Sequence, residues 1–402
     1  MSPASCRSER PVDPGSTGPV AWSVVFLDGS ELRFGDGRPC FTFHVATRKA
    51  FDRILAADAY SAAIAFVRGQ FDVTGDLVAA VRFKGWQPES GLRRRWLAVI
   101  ARSAAWLECA FQGKAQAARH IRFHYDSSNE FYRLFLDPRM VYSCAYFRSA
   151  DTTLEGAQVA KLDRICRKLD LQPGDRFLDV GCGWGALVEH AAIRYAAKAV
   201  GCTLSHAQYS YAATRLDGRA RVLEGDYRDL GGNYDKIASV GMFEHVGRRR
   251  AQGYFRKLAE LLTPDGLYLH HAIARAQGVR DDAASLFMRR YIFPGGQLIH
   301  LYEMIRAAED AGFEVLDVEN LRRHYALTCR VWEQRLAANA AAAVPLVGEP
   351  AYRAWRIWLA GSALSFEEGF SSVYQVLFGK RSSSRCQLVR DDLRLYTRPA
   401  PE

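Results

Sequence analysis

The stretch FLDVGCGWGALVEH, residues 177–190, joins an apolar strand to a helix through three glycines. Gly181, Gly183 and Gly185 let a ligand approach the backbone at positions where a Cβ atom would intrude. The helix that follows presents unpaired N–H groups in its first turn. The turn therefore predicts a ligand site, although glycine-rich turns of this kind occur in dinucleotide sites, in other nucleotide sites and in plain tight turns.

Apolar strands alternate with helical patterns from residue 151 onward, and this order predicts an α/β fold with a Rossmann-like doubly wound sheet. Ligands of such sheets bind at the carboxyl ends of the strands, so the residues that close each strand form one wall. The strands are RFLDVG, AKAVGCTLS, ARVLEGD, DKIASVG and LYLHHAI. After the glycine turn, the wall consists of residues 203–205, 225–227, 241–245 and 270–273.

The end of the second strand argues against a nicotinamide dinucleotide. Dehydrogenases of this fold usually carry an acidic residue about twenty residues after the glycines, where it binds a ribose hydroxyl. Here the second strand closes on Thr203, and Gln208 follows one turn later. We therefore expect a different ligand.

The protein divides into four segments by composition and pattern. Residues 1–20 are rich in Pro, Ser and Gly and predict a disordered tail. Residues 21–90 predict a small α+β domain, with short alternating strands and one helical stretch near residues 50–66. Residues 91–150 predict a helical linker and active-site lid, and residues 151–402 the catalytic domain.

The net charge and the cysteines indicate which kind of partner and which cellular compartment to expect. A net charge of +10 and a pI near 9.2 favour an anionic partner, either nucleic acid or an acidic membrane surface. No nucleic-acid motif is present, and no segment of ~20 uncharged apolar residues is available to span a membrane. The nine cysteines form no CxxC pair. We expect a cytoplasmic protein with reduced thiols that contacts an anionic membrane peripherally, for example through the basic run 93–95.

Six consecutive motifs carry a specific resemblance over about 280 residues. They are FHYDSSNEFYRLFLDPRMVYSCAYF (123–147), LDVGCGWG, GCTLSHAQ, SVGMFEHVG, YIFPGG and HYALTCRVW. In these motifs the sequence resembles the cyclopropane-fatty-acyl-phospholipid synthase and mycolic acid methyltransferase family. The resemblance implies a class I methyltransferase fold and an enzyme that uses S-adenosyl-L-methionine to alkylate the double bond of unsaturated acyl chains of phospholipids.

The resemblance also implies two sets of site residues. The methyl donor would be held by Tyr142, Ser143, Asp179, Gly181, Gly183, Gly185, Thr203, Leu204, Gln208, Tyr227 and Arg228. A bicarbonate ion beside the transferred methyl group would be held by Cys144, Glu244, His271, Ile273 and Tyr325. Ring closure needs a base within hydrogen-bond reach of the new methyl group, and a fixed bicarbonate is such a base. No metal is implied.

Other interpretations of these residues stay open. His270 is expected to be a buried structural histidine, because neighbouring residues of a strand point to opposite faces. The segment GGQLIHLYEM departs from the family's usual GGELPSL at Gln297, Ile299 and His300, and this departure bears on the acyl substrate rather than on the donor. The alternatives are a C-methyltransferase that converts acyl chains to methyl-branched products and a non-catalytic lipid-binding protein. A homodimer is also left open.

Overall fold

The computed structural model describes residues 20–57, 59–85, 129–279, 283–293 and 296–383. Within these ranges the protein forms two β-sheets, one of four strands near the N-terminus and one of seven strands. The basic run 93–95 and the first part of the 123–147 motif lie outside the described residues, as do the predicted tail and most of the predicted linker.

The four-stranded sheet belongs to the small N-terminal α+β unit. Its strand order is β2-β1-β3-β4, in which β1 and β3 pair in parallel and the other pairs are antiparallel. Phe41, Phe43 and Val45 are buried, whereas Thr42 and His44 between them are partly exposed, as expected for a sheet with one face on a core. They are β1 (Trp22–Phe26), β2 (Glu31–Phe34), β3 (Phe41–Val45) and β4 (Phe71–Gly75).

Three helices accompany this sheet, and they correct the expectation of one helical stretch near residues 50–66. The stretch is divided between α1 (Arg48–Ala56) and α2 (Ala59–Val67), and α3 (Leu77–Gly85) follows β4. The first helix ends because Ala57 takes an extended conformation, with φ −70° and ψ 147°. Alanine-rich composition favours helix on both sides of this residue, so local propensity did not reveal the break.

The seven-stranded sheet has the order β10-β11-β9-β8-β5-β6-β7. Strand β11 is antiparallel to both of its neighbours, and the remaining neighbouring pairs are parallel. The expected doubly wound sheet is therefore confirmed, with one antiparallel strand inserted near its edge. The strands are β5 (Arg176–Val180), β6 (Lys198–Thr203), β7 (Arg221–Glu224), β8 (Tyr234–Val240), β9 (Leu262–Arg275), β10 (Phe313–Asn320) and β11 (Ser371–Lys380).

Helices connect the parallel strands and begin at positions that the local sequence sets. Thr153 caps the helix before β5 by accepting a hydrogen bond from the Gly156 N–H, and Ser205 caps the helix after β6 by accepting from the Gln208 N–H. The helices are α4 (Asn129–Arg133), α5 (Leu154–Lys168), α6 (Ala186–Tyr195), α7 (His206–Leu216), α8 (Ala251–Leu261), α9 (Ala283–Tyr291), α10 (Leu301–Glu309), α11 (Arg322–Ala338), α12 (Ala340–Val347) and α13 (Glu349–Glu368).

The N-terminal unit shares a hydrophobic core with helices α11–α13, which lie between β10 and β11 in sequence. Phe66 of α2, Phe131 of α4 and Trp355 of α13 belong to one continuous cluster of buried side chains. Charged groups cross the same boundary, since Arg330 of α11 pairs with Asp76 as well as with a carboxylate of α13. The N-terminal unit is thereby joined to the end of the sheet that carries β11.

Residues 134–147 run as an irregular, largely buried segment between α4 and α5. Asp137 holds one turn of it by accepting hydrogen bonds from the Arg139 and Val141 N–H groups. Gln158 of α5 fixes the next part, because its side-chain amide donates to the carbonyl oxygens of Val141 and Ser143. This anchoring presents residues 142–144 to the carboxyl ends of the strands.

Candidate functional site

A cavity opens at the carboxyl ends of β5, β6, β7 and β8, where a doubly wound sheet binds its ligand. We call it the donor cavity. Ten of the eleven residues expected to hold the methyl donor line it: Tyr142, Ser143, Asp179, Gly181, Gly183, Thr203, Leu204, Gln208, Tyr227 and Arg228. The structure thus brings together residues from four separate segments of the protein.

The three glycines of the turn have different surroundings. Gly183 has φ +55°, and a Cβ there would point into open space with only the Gln208 side-chain amide as near as 4.0 Å. A Cβ on Gly181 would lie 2.6 Å from the Met242 side chain. Gly185 does not line the cavity; its Cβ would meet Ala212 of α7 at 3.1 Å. Gly183 therefore leaves room for a ligand, whereas Gly185 allows two helices to approach.

Polar side chains at the ends of β6 and β7 are held by local hydrogen bonds. The Thr203 hydroxyl donates to the Gln208 side-chain oxygen at 2.7 Å, and this contact fixes the orientation of the Gln208 amide. After β7, Asp226 accepts hydrogen bonds from the backbone and guanidinium of Arg228. The Tyr227 ring packs edge-on against Tyr254, 5.3 Å between centroids. This end of the cavity is therefore preorganised.

Lys161 of α5 is a lining residue that the sequence did not reveal. Its ammonium donates to the Ser143 hydroxyl at 2.8 Å, and the side chain is buried. Burial lowers the pKa of Lys161 to about 8, although nearby acidic groups oppose the shift. Burial also raises the pKa of Asp179 to about 7 against the attraction of Lys161. Asp179 Oδ1 has no hydrogen-bond partner among the described residues.

The five residues expected around a bicarbonate ion lie together next to the donor cavity. Gly241 joins the two regions, because it lines the cavity and its N–H donates to the His271 carbonyl at 2.9 Å. Cys144 directly follows the lining residue Ser143 and packs with Ile273 and Tyr325. We call Cys144, Glu244, His271, Ile273 and Tyr325 the base cluster.

Glu244 is half-buried and lies in a 3₁₀ turn after β8. One carboxylate oxygen, Oε1, accepts the Ile273 N–H at 2.7 Å, and the other, Oε2, is shielded from solvent without a partner among the described residues. Burial raises the pKa of Glu244 to about 7. The N–H group of Ile273, a residue that the resemblance places at the anion, is thus engaged with Glu244 and orients its carboxylate. The Gln297 N–H donates to the Glu244 carbonyl, so a residue that departs from the family pattern supports this turn.

His271 and His270 point to opposite faces of β9, as predicted. His270 contacts the Tyr268 hydroxyl at 2.7 Å among buried aromatic rings, and burial lowers its pKa to about 3. His271 instead meets Gln375 of β11, whose amide nitrogen lies 3.2 Å from His271 Nδ1. The His271 Nε2 atom is buried without a partner in the described part of the protein. Burial keeps the pKa of His271 well below its usual value, with Lys161 adding to the effect.

Cys144 and Tyr325 close the base cluster on its other side. The Cys144 thiol is fully buried near the carbonyl oxygens of Ala145 and Leu321, and burial raises its pKa. A protonated thiol in this setting is a poor nucleophile. The half-buried Tyr325 ring stacks on Phe366, 4.5 Å between centroids, and burial likewise raises the pKa of its phenol. The phenol therefore stays protonated and can donate a hydrogen bond.

Two properties of the described residues bear on ligands and membranes. No group of three or more His, Cys, Asp or Glu side chains in these ranges is arranged to hold a metal ion. Among the helices given above, none is both long and apolar enough to cross a membrane.

Comparisons with known proteins converge on one family. The family model described as mycolic acid cyclopropane synthetase matches residues 112–376. A probable fatty acid methyltransferase of Pseudomonas putida is 38% identical over 361 residues, which amount to 87% of this protein and 89% of the relative. Cyclopropane mycolic acid synthase 3 of Mycobacterium tuberculosis is 37% identical over 278 residues, 65% of this protein and 96% of that one.

Solved structures give the same result. The cyclopropane synthase MmaA2 of Mycobacterium tuberculosis superposes with a TM-score of 0.64 at 35% identity, covering 65% of this protein and 98% of that structure. Mycolic acid cyclopropane synthase CmaA1, complexed with SAH and CTAB, superposes with a TM-score of 0.63 at 37% identity and covers the same shares.

Proposed function

The protein belongs to the mycolic acid cyclopropane synthetase family, and from this premise we propose that it forms cyclopropane fatty acids in phospholipids. It is an S-adenosylmethionine-dependent methyltransferase that acts on lipid acyl chains. In the proposed reaction a methylene bridge is added across the double bond of an unsaturated acyl chain, with bound bicarbonate as the base. One observation carries the proposal, namely that the base cluster adjoins the donor cavity at Gly241.

The donor cavity fits S-adenosylmethionine in two respects. Gly183 leaves open space where a side chain would fill the cavity, and the buried Asp179 Oδ1 lacks a partner that a ligand ammonium group would supply. Bound S-adenosylmethionine supplies a methyl group on a sulfonium centre and leaves as S-adenosylhomocysteine. Tyr142 and Ser143 line the side of the cavity toward the base cluster, so they would orient the reacting end.

The base cluster fits a bicarbonate ion by its donors and acceptor. The Tyr325 hydroxyl can donate to an oxyanion, and a neutral His271 can donate through one ring nitrogen. Glu244 Oε2 is a shielded acceptor without a partner among the described residues, suited to the hydroxyl of the ion. Bicarbonate bound there would supply the base. The Tyr325 and Cys144 side chains cannot act as this base, because burial raises their pKa values and both groups stay protonated.

Proton removal completes the proposed reaction. When the acyl double bond takes up the methyl group, one carbon–carbon bond forms, the methyl–sulfur bond breaks and the second alkene carbon becomes cationic. Loss of a proton from the new methyl group then leaves the electron pair that closes the ring. Water would trap the cation, so the site must be dry. Cys144, Leu321 and Val373 are fully buried and support this exclusion.

We propose phospholipid acyl chains as the substrate from the share of the protein that each group of relatives matches. The Mycobacterium tuberculosis synthases match about two thirds of this protein over nearly their whole length. The match to the Pseudomonas putida relative extends over 87% of the protein, and that relative is named a probable fatty acid methyltransferase. The net charge of +10 supports peripheral contact with an anionic membrane. The same relative also favours a second candidate, a methyltransferase that converts acyl chains to methyl-branched products.

Expression in a bacterial host that lacks such an enzyme tests the product. We expect its unsaturated chains to gain the mass of one CH₂ group and to show cyclopropane ring protons by NMR. Olefinic protons in the products of the same mass would identify an unsaturated methyl branch and overturn ring formation. Unmodified lipids with soluble, donor-binding protein would favour the lipid-binding alternative.

Glu244→Gln tests the base cluster, with Glu260→Gln as control because Glu260 is an exposed carboxylate of α8. We expect turnover to fall by ~10²–10⁴-fold, as for loss of a general base, and donor affinity to stay unchanged. Activity of the unchanged protein should rise when bicarbonate is returned to a depleted assay. Full activity of Glu244→Gln, together with no effect of depletion, would contradict the proposed role of bicarbonate.

A further inference from the structure

Gln375 and His271 form a buried pair that the resemblance does not assign. They occupy directly opposed positions on the antiparallel strands β11 and β9. The exposed fractions are 0% for Gln375 and 2% for His271, so neither residue exchanges its partner for water. The Gln375 amide nitrogen lies 3.2 Å from His271 Nδ1. A contact of this kind, shielded from solvent, constrains the protons of the imidazole.

His271 carries a single ring proton in these surroundings. Burial disfavours its charged form, and the positive charges of Lys161 and Lys168 add to this effect, so the pKa lies well below the usual value. A neutral imidazole donates from one nitrogen and accepts at the other. The position of the proton therefore decides whether His271 offers a donor or a lone pair to the site.

The contact with Gln375 selects one of the two tautomers. An amide NH₂ group only donates, so the Nδ1 atom that faces it must carry a lone pair. The single proton then resides on Nε2, the buried nitrogen without a partner among the described residues. We propose that Gln375 is a positioning residue that holds His271 as the Nε2–H tautomer, so that His271 presents a hydrogen-bond donor, and not a base, to the base cluster.

This tautomer suits an anion. An Nε2–H group aimed at an oxyanion stabilises it, whereas an Nε2 lone pair would repel it. Glu244 Oε2 supplies an acceptor in the same cluster, so donor and acceptor functions are divided between two side chains. The consequence for catalysis rests on the proposed function of the cluster. The tautomer itself rests on the neutral state of the imidazole and on the Gln375 amide presenting its nitrogen, and not Oε1, to Nδ1.

The register of β11 places Gln375 at this position. Val373 and Gln375 lie on the same face of β11, opposite Ile273 and His271 respectively. Glu244, in the turn after β8, accepts a hydrogen bond from the Ile273 N–H. The positions of His271 and Ile273 on β9 are therefore supported from two sides, by β11 and by this turn. Gln375 does not need to touch a substrate to act, because its effect passes through the imidazole.

The tautomer can be measured directly by ¹⁵N NMR of the full-length protein labelled at histidine. His271→Asn identifies the His271 signals by their loss. We expect Nε2 of the unchanged protein to show the shift of a protonated nitrogen and Nδ1 that of an unprotonated one. Gln375→Glu should reverse this pattern, because a carboxylate only accepts hydrogen bonds, so the facing Nδ1 must carry the proton and donate. A protonated Nδ1 in the unchanged protein would overturn the proposal, whether or not the Gln375 variants fold.

Kinetics separate positioning from a packing role. Gln375→Met keeps the side-chain length and removes the donor; we expect kcat to fall on the order of 10²-fold with little change in donor Kd. In a His271→Asn background the same change should have no further effect, because its target is gone. Ser372→Ala, on the other face of β11, is the control for local packing.

The outcomes distinguish the inference from the proposed function. Reversal of the tautomer in Gln375→Glu with unchanged turnover would support the positioning role and contradict the function proposed for the base cluster. An unaltered tautomer in both Gln375 variants would overturn the positioning role whatever the turnover. A further loss of kcat by Gln375→Met in the His271→Asn background would also overturn it.

Discussion

At the scale of single residues, the site depends on buried polar groups whose partners are incomplete. Asp179 Oδ1, Glu244 Oε2 and His271 Nε2 are shielded from water and unpartnered within the described residues. Such atoms are costly in a folded protein unless a ligand or water satisfies them. One of these atoms lies at the donor cavity and two lie in the base cluster, where the proposed methyl donor and bicarbonate would satisfy them.

The glycine turn gives a prediction with an internal control. Gly183→Ala and Gly185→Ala both place a side chain at positive φ, +55° and +84°, so both carry backbone strain of about 1–2 kcal/mol. Of these two glycines, only Gly183 faces the cavity. We expect Gly183→Ala to weaken S-adenosylmethionine binding about tenfold or more, a loss of about 1.4 kcal/mol.

Gly185→Ala should lower the melting temperature and retain donor affinity, because its Cβ meets Ala212 of α7 and not the ligand. Calorimetric titration with the donor measures the difference between the two variants. Equal donor affinities in the two folded variants would contradict the assignment of Gly183 to the donor.

Asp179 predicts a pH dependence of donor binding. Because burial raises its pKa to about 7, part of the free protein carries a neutral carboxyl group below that pH. A cationic donor favours the ionised carboxylate and lowers the pKa, so binding should release protons and strengthen as pH rises toward 7. Titrations at about pH 6.5 in two buffers of different ionisation enthalpy measure the release. It should vanish in Asp179→Asn; persistence there would assign the proton to another group, such as Lys161.

At the scale of elements, helix α5 contributes two buried lysines with different tasks. Lys161 donates to Ser143 at the donor cavity, whereas Lys168, two turns later, pairs with Asp317 and Glu319 of β10. Both lysines are almost fully buried, so they differ in partners and not in exposure. The helix thus supports the cavity at one position and the edge of the sheet at another.

Methionine substitutions at these two positions should have opposite signatures. Lys161→Met removes the positive charge that lowers the Asp179 pKa and the ammonium group that donates a hydrogen bond to Ser143. We therefore expect the Kd of S-adenosylmethionine to rise about tenfold. Lys168→Met leaves the Asp317 and Glu319 carboxylates with less positive charge beside them. It should destabilise the fold by ~3–5 kcal/mol and leave the Kd of S-adenosylmethionine unchanged. Denaturant unfolding and calorimetric titration of both variants test this pair. A loss of donor affinity in Lys168→Met alone would reverse the assignment.

At the scale of the molecule, the N-terminal unit and the catalytic sheet meet through helices α11–α13. The hydrophobic cluster is continuous across this boundary, and Arg353 of α13 pairs with Asp72 of β4. The proposed domain limits of 21–90, 91–150 and 151–402 therefore describe the order along the sequence, while packing joins the first unit to the helices of the last.

The proposed membrane contact leads to a prediction for the whole protein. Binding to vesicles of anionic phospholipid should exceed binding to neutral vesicles and weaken as salt rises. Changing Arg93, Arg94 and Arg95 to Glu lowers the formal net charge of +10 by six units and should abolish the preference. The same change at the exposed Arg148, Arg219 and Arg221 controls for net charge. Equal effects of the two triple variants in sedimentation would assign the attraction to net charge and contradict a localised basic surface.

The sequence by itself predicted the five parallel strands β5–β9 and most of the residues that line the donor cavity, but not β10 or the antiparallel β11. Each of these five strands contains an apolar run, and the residues at their carboxyl ends meet at one edge because the strands are parallel. The face of His270 followed equally from the alternation of side chains along a strand. The residues of the base cluster and of the donor site were predicted from the family motifs and not from hydrophobic periodicity.

Only the tertiary structure decided which side chains meet across elements. Gln375 is 104 residues from His271, and Lys161 is 18 residues from Ser143. Their contacts arise from the register of an antiparallel strand and from the face that one helix turns to the sheet. The Ile273 N–H meets Glu244, and Gly185 meets Ala212, for the same reason. Local hydrophobic periodicity reports which face of an element is buried, but the partner opposite that face is set by how the elements pack.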